Sequence, residues 1–470
     1  MKPTSSQKYK IFFIIILAFA LSLRLGIALT NLEANDDHML VVRMILETHQ
    51  LPVMFECREC FHPKLFYVTV AALLQIFKIT DLKQQLVFAQ LLNFLAGGLT
   101  LAIIARFIKE YPYENGIMKL SVFMLIALNP KMIAINSQAS NDTFAILFAT
   151  LALFSTYRFF KNPGLKYLGL VILFILLGVS TKVTSWIVFI AIFLGFLLNL
   201  WVQEEKLGRK LAYVLILPVA VLLITTLNPL SQFVTNIQKF GTPIVSRDTR
   251  LPLPSVFEQT THYKNYYFRP GIVSIRDGFF TFKLADILKY PLTTNGEYNY
   301  PPQRTSFWTM LYADTFSLHF QNWPKSWETK GDENFNISRG IFILALIPTF
   351  IFSIGFLLES FNVLKSLFRH ERDKIRATGN ALFLLTSGGY IAFLILAALL
   401  YRDFAFIKLA YILPGLLAFT WLFLRGAELL LGRFPRFKWL FIGWTTILSV
   451  LYVCDVLTMA QQLFLTNIHF

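Results

Sequence analysis

The sequence predicts an all-α, polytopic membrane protein. Hydrophobic residues fill 56% of its 470 positions and charged residues only 15%, more apolar surface than a soluble fold of this length buries. The mean hydropathy is +0.57. The apolar residues also come in runs, and about eleven of these approach the ~17–25 residues that cross a bilayer as a helix.

The runs are 11–30, 86–105, 120–137, 143–160, 167–181, 183–201, 211–227, 340–358, 380–400, 409–424 and 439–458. They divide the chain into an N-terminal membrane module (1–227), a long polar loop (228–339) and a closing set of helices (340–470). The first run lacks a convincing small-residue cleavage site and reads as a retained helix rather than a signal peptide.

The net charge of +16 does not indicate a nucleic-acid partner. No basic stretch is interleaved with stacking aromatics. The basic residues lie in short loops between apolar runs, such as Arg106 with Lys109, Arg158 with Lys161, and Arg433 with Arg436. That is how cytoplasmic loops look. Residues 65–77 are apolar but span only about 13 positions, nearer a re-entrant or interfacial segment than a crossing. Read so, the later basic loops all fall in the cytoplasm, with the N-terminus inside and the C-terminus outside. Two long loops then face outward, 31–85 and 228–339. The second, with Trp308, Trp323 and Trp327, is expected to fold as a cap.

The first outer loop concentrates chemistry. Asp36 and Asp37 follow the first helix, and His38, Glu56, Glu59, His62 and Lys64 share the loop. The pattern Met39, Leu40, Val42, Met44, Ile45 predicts a surface-lying amphipathic helix. A carboxylate there suits a general base acting on an acceptor hydroxyl or amine; an acid before an apolar helix also suits an N-cap. Lys64, Lys182, Arg402 and Lys408 all fall on the outer face, joined by Arg247, Arg250 and Arg269 of the large loop. As a cluster they suit a lipid phosphate; singly, each suits interfacial snorkelling. Asp142, in "SNDTF", is either a further acid at the mouth or, with Asn141, a helix cap. Asn141-Asp-Thr143 and Asn336-Ile-Ser338 match the glycosylation sequon.

Of three cysteines, Cys454 lies in an apolar run. Cys57 and Cys60 form one Cys-x-x-Cys, for which a disulfide or free thiols on an oxidising side are favoured over a zinc site completed by His38 and His62.

The motifs taken in order resemble those of the GT-C-fold glycosyltransferases that use polyprenyl-phosphate sugars, the protein O-mannosyltransferases and lipid A aminoarabinose transferases among them. The acid pair is Asp36-Asp37. "FHPKLFY" ending at Tyr67 is similar to the family's His-Pro-Pro-Leu segment. "NFLAGGLTLAIIARF" (93–107), "ALNPKMIAINSQASNDTFAILFATLALF" (127–154), "LLGVSTKVTSW" (176–186) and "IKLAYILPGLLAF" (407–419) resemble its later elements. Three positions depart: Asp37 stands for Glu, Lys64 for the second proline, and Ala410 for the Arg before Tyr411, with Lys408 nearby.

The resemblance implies a GT-C-like fold of about eleven spans with juxtamembrane helices and one large extracytoplasmic loop. It implies Asp36 as base with Asp37 positioning it, and Lys64, Lys182, Arg402 and Lys408 around the lipid phosphate. His38, Glu59, His62, Asp142 and Tyr411 complete the candidate site. The implied partners are a polyprenyl-phosphate sugar, membrane lipid and a glycan, lipid or protein acceptor, in a bacterial inner membrane or, in a eukaryote, the ER. Inversion at the sugar carbon is implied, and a divalent cation is left open. The competing classes are a transporter or lipid flippase, which calls for ionisable groups deep in helices and paired broken helices, and a non-catalytic assembly subunit, in which the acid pair only caps a helix.

Overall fold

The computed structural model describes residues 5–34, 36–53, 56–113, 115–202, 207–243, 274–289, 291, 305–317, 335–367, 374–401, 407–434 and 436–468, and these contain helices and no strand. Arg402, Arg247, Arg250, Arg269, Trp323 and Trp327 lie outside them.

The membrane module opens with α1 (Ser5–Thr30), α2 (His38–Thr48), α3 (Leu65–Ile76) and α4 (Leu82–Glu110). It continues through α5 (Gly116–Ala127), α6 (Pro130–Asn136), α7 (Asp142–Lys161), α8 (Leu165–Val179), α9 (Ser185–Val202) and α10 (Leu207–Leu227). The long loop contributes α11 (Phe233–Phe240), α12 (Ile275–Phe279), α13 (Leu284–Lys289) and α14 (Phe307–Phe316). The chain closes with α15 (Phe335–Leu344), α16 (Leu346–Leu367), α17 (Lys374–Tyr401), α18 (Leu416–Arg433) and α19 (Phe437–Ile468).

Among the described residues seven helices are long and apolar enough to cross a membrane, or eight if one bent pair is a single span. This is fewer than the eleven runs suggest. The difference lies in three consecutive runs, 167–181, 183–201 and 211–227, which form α8, α9 and α10, whose apolar stretches among the described residues are Leu165–Val179, Ser185–Asn199 and Ala212–Leu227. At 1.5 Å per residue the 15 residues of α8 reach roughly 23 Å, short of the ~30 Å hydrocarbon layer, whereas the 18 and 21 residues of α9 and α10 reach roughly 27 and 32 Å. The segment read as non-crossing is the helix Leu65–Ile76, 12 residues long.

The bent pair is α5 and α6, meeting at 53°. Pro130 causes the break, because it cannot donate to the preceding turn and pushes Asn129 out of helical geometry. Asn129 restarts the helix by accepting from the Met132 N–H at 3.1 Å. The break frees the Ala127 carbonyl, which takes a 2.8 Å hydrogen bond from Arg24 of α1. Arg24 is fully buried and also donates to Asn136 Oδ1 at 3.1 Å. A cation in the first span is thus committed to the backbone of a broken helix. Its neighbour Gly97 has to lack a side chain: a Cβ there would stand 2.5 Å from Asn136 Cγ.

Helices α16 and α18 cross at close range, glycine against backbone. A Cβ on Gly355 would lie 1.8 Å from the Leu422 carbonyl oxygen, and one on Gly426 would lie 2.0 Å from that of Ile351. Beyond this crossing Arg425 pairs with Glu359 and Glu428.

One apolar core runs through most of the helices. A second, separate core sits beneath the first loop. It joins Met39 and Val42 of α2, Cys60, Phe66 and Val70 of α3, Leu86 of α4 and Ala139. This small core carries the acid-rich loop.

Candidate functional site

Asp36 adopts φ 45°, the left-handed region that a non-glycine residue enters at a penalty. Its carboxylate is 33% exposed and lies 3.5 Å from the Arg58 guanidinium. Asp37 is exposed and occupies the N-cap position of α2, yet its side chain makes no capping hydrogen bond. The capping role that the sequence left open for this pair is therefore not filled. His38, the first residue of α2, is buried, and its Nδ1 lies 2.8 Å from the Tyr67 hydroxyl.

Cys57 and Cys60 are joined in a disulfide, which excludes the zinc reading because both sulfurs are bonded. The short loop it closes presents Arg58 and Glu59. Glu59 Oε2 lies 3.2 Å from His62 Nε2. The His62 ring stacks on that of His38 with centroids 6.0 Å apart. Burial pushes the His62 imidazole down to about 4, against the opposing pull of Glu59. Its Nε2–H then donates to the carboxylate at neutral pH. Burial works to raise the Glu59 carboxyl, but the hydrogen bond from His62 and the charges of His38 and Arg58 outweigh it and hold it below the usual carboxylate range.

Lys64 does not snorkel. It is fully buried, and its ammonium donates to the Cys60 carbonyl at 2.5 Å. Burial lowers it to about 7, with Glu56 opposing. The backbone here is stitched to distant segments: Lys64 N–H donates to Leu230 O at 2.8 Å and Leu65 N–H to Ser180 O at 2.9 Å. Lys64 thus holds the disulfide loop in place from beneath.

The turn at 136–142 brings the second half of the site. Asn93 of α4 donates to Gln138 O at 2.5 Å and Ser140 O at 2.7 Å. Asn141 occupies the N-cap position of α7 without a side-chain capping bond; it is fully buried and donates to Thr181 O at 3.2 Å, so it offers no glycosylation surface. Asp142, in the first turn of α7, forms a buried ion pair with Lys182. An acid at a helix N-terminus is favoured by the helix dipole as well. The Lys182 ammonium lies 5.2 Å from the centroid of the Tyr411 ring. Its charge also reaches His62, and His38 and His62 act electrostatically on Asp142.

The fold therefore gathers Asp36, His38, Glu59, His62, Asp142, Lys182 and Tyr411 into one region, with Asp37 beside it and Lys64 below. Lys408 is half-buried and lies within electrostatic reach of Lys131, in a different cluster. Sequence reasoning missed Arg58, Tyr67, Lys131 and Asp314. The first two were visible as polar residues inside the candidate loop and the following apolar run; the last two meet across 183 positions, and no local signal joins them.

Residues 62–228 match the family model described as dolichyl-phosphate-mannose-protein mannosyltransferase. The match takes in His62, Lys64, Asp142 and Lys182. No curated protein matches the chain. Among solved structures, the apo oligosaccharyltransferase of Archaeoglobus fulgidus aligns at 13% identity over 96% of this chain and 56% of its own, with a TM-score of 0.47. The archaeal oligosaccharyltransferase AglB from the same organism, in complex with an inhibitory peptide and a dolichol-phosphate, aligns at 13% identity over 96% of this chain and 55% of its own, at 0.48. ArnT from Cupriavidus metallidurans, bound to undecaprenyl phosphate, aligns at 14% over 88% and 77%, at 0.38. The chain spans about half the length of the archaeal chains. None of the three reaches a TM-score of 0.5, so no residue role passes from them to this chain. The resemblance read from the sequence is met by the family model over residues 62–228.

Proposed function

We propose that this protein is an integral membrane glycosyltransferase of the GT-C type, moving a sugar from a polyprenyl-phosphate carrier to an acceptor at the extracytoplasmic face. The observation that carries the reading is the family match over 62–228, whose residues supply the buried Asp142–Lys182 pair beside the acid-bearing loop. Residues 1–227 then hold the catalytic module, 228–339 a cap and 340–470 the closing helices.

In this reading the acceptor oxygen or nitrogen attacks the anomeric carbon from the face opposite the phosphate. The carbon–oxygen bond to the phosphate breaks through an oxocarbenium-like state, and the configuration inverts. Asp36, exposed and 3.5 Å from the Arg58 guanidinium, takes the acceptor proton, as a base must from within hydrogen-bond reach. Asp37 orients the acceptor beside it. The bond electrons leave on the phosphate oxygen, and Lys182 stabilises them. An ammonium has three donors, so Lys182 serves a phosphate while it keeps Asp142. Arg402 and Lys408 are assigned as further cations for the phosphate, with Lys408 reaching it from the Lys131 cluster, and Tyr411 supports Lys182 from beneath. Lys64 acts by holding the disulfide loop. The products are a glycosylated acceptor and a free polyprenyl phosphate.

The test is genetic. Deleting the gene leads to accumulation of one polyprenyl-phosphate sugar in the membrane, read by lipid mass spectrometry, and the purified protein discharges that same lipid onto an acceptor. A deletion strain with an unchanged lipid-linked sugar pool contradicts the reading.

A further inference from the structure

Asp314 lies on α14, in the stretch expected to form a cap, and far in sequence from every residue assigned above. Its side chain is 2% exposed. One carboxylate oxygen accepts from Lys131 Nζ at 2.8 Å, and Lys131 is itself sealed at 0%. The other oxygen accepts from the backbone N–H of Leu409. The same helix is pinned at two further points. Asn129 donates to the Thr315 carbonyl at 3.1 Å, and the Tyr312 hydroxyl donates to the Phe342 carbonyl.

Leu409 opens a single helical turn, Leu409–Tyr411, that leads into the last part of the chain. As the first N–H of that turn it has no acceptor within its own ladder, and it is buried. A buried N–H has to find a partner, and a buried lysine has to find a counter-charge. Asp314 meets both needs at once. The turn that it fixes ends on Tyr411, whose ring lies beneath the Lys182 ammonium.

We infer that Asp314 is a positioning residue for the phosphate side of the site. Its hydrogen bond to Leu409 clamps the 407–411 segment onto α14, which Lys131 ties to α6, so that Tyr411 is held under Lys182 and the ammonium stays between Tyr411 and Asp142. The inference rests on the reading of Lys182 as the cation that meets the donor phosphate. It gives the loop between α10 and α15 a part in building the site, which a cover over it does not have.

Two double variants separate the clamp from the ion pair. Lys131→Met with Asp314→Asn removes both charges and keeps an acceptor for Leu409. Lys131→Met with Asp314→Leu removes both charges and the acceptor. Asp455, 1% exposed and within electrostatic reach of Lys131, loses that cation in both variants alike, so its cost cancels from the contrast between them. The full-length protein in detergent micelles is labelled with an amine-reactive ester, and Lys182 is quantified by mass spectrometry against exposed Lys166. Lys182 labelling stays at the wild-type level in the Asn variant and rises at least about fivefold in the Leu variant, as expected of a locally opened segment. Undecaprenyl phosphate, used as the probe lipid, binds about tenfold more weakly to the Leu variant only. If the two variants label alike, the clamp is overturned and Asp314 only balances Lys131. If the labelling contrast holds but no form, wild type included, binds undecaprenyl phosphate, the clamp stands and the lipid-phosphate reading falls.

Discussion

The Lys182 ammonium is held between the Asp142 carboxylate, with which it pairs, and the Tyr411 ring, whose centroid lies 5.2 Å away. Both charged side chains are largely buried, so each depends on the other. Breaking a buried pair from one side leaves an uncompensated charge and costs about 3–5 kcal/mol, whereas replacing both members is often close to neutral. Lys182→Met alone is therefore expected to lower the thermal midpoint sharply. Lys182→Met combined with Asp142→Asn recovers most of that stability but not sugar transfer, which stays down by about a hundredfold or more. Transfer that returns along with stability would show that Lys182 serves only the fold.

The His62 imidazole gives the protein an acid limb. Unfolded, it takes a proton near 6.5; folded, burial holds it to about 4. Between these values the unfolded chain binds more protons, so stability is complete above about pH 6.5 and falls as the pH drops toward 4. The full effect is on the order of 3 kcal/mol. Glu59, held low by its neighbours, adds its own loss only in more acid solution. His62→Gln should flatten the pH dependence of the thermal midpoint between pH 6.5 and 4.5. An unchanged slope means that another group titrates there.

The crossing of α16 and α18 allows no side chain at Gly355. An alanine Cβ would meet the Leu422 carbonyl oxygen at 1.8 Å, and backbone cannot move aside as a flexible side chain does. Gly355→Ala is expected to cost at least the ~1–3 kcal/mol of core overpacking. Gly169→Ala in α8 is the control, with nothing within 4 Å of its Cβ; replacing a helical glycine there is neutral or favourable by up to about 1 kcal/mol. Thermal unfolding of the two variants checks both, and equal midpoints would refute the close crossing.

What the sequence disclosed and what it hid follow from the range of each signal. Length and hydropathy are local, so the spans at Tyr9–Thr30, Leu82–Glu110 and Asp142–Lys161 are legible as runs. The run at 120–137 is legible too, but the partner of the Ala127 carbonyl freed at its 53° bend is an Arg24 that a distant helix supplies. The run that became α8 reads as a span because composition is read more easily than length at the short limit. Side-chain direction is not local at all. Lys64 and Lys182 fit snorkelling cations by position, yet both turn inward, one to the Cys60 carbonyl and the other to Asp142. The Cys57–Cys60 bridge was readable because its partners are three residues apart. The Lys131–Asp314 pair was not, because only the folded chain brings them together.

The central claim is that Asp36 takes the acceptor proton. Asparagine accepts the left-handed backbone that Asp36 adopts, so Asp36→Asn removes the base with little other change. The measurement is sugar transfer from the polyprenyl-phosphate sugar that the deletion strain accumulates, in membranes matched for protein level and thermal midpoint. The account predicts a loss of about 10²- to 10⁴-fold. Transfer at the wild-type rate would contradict it.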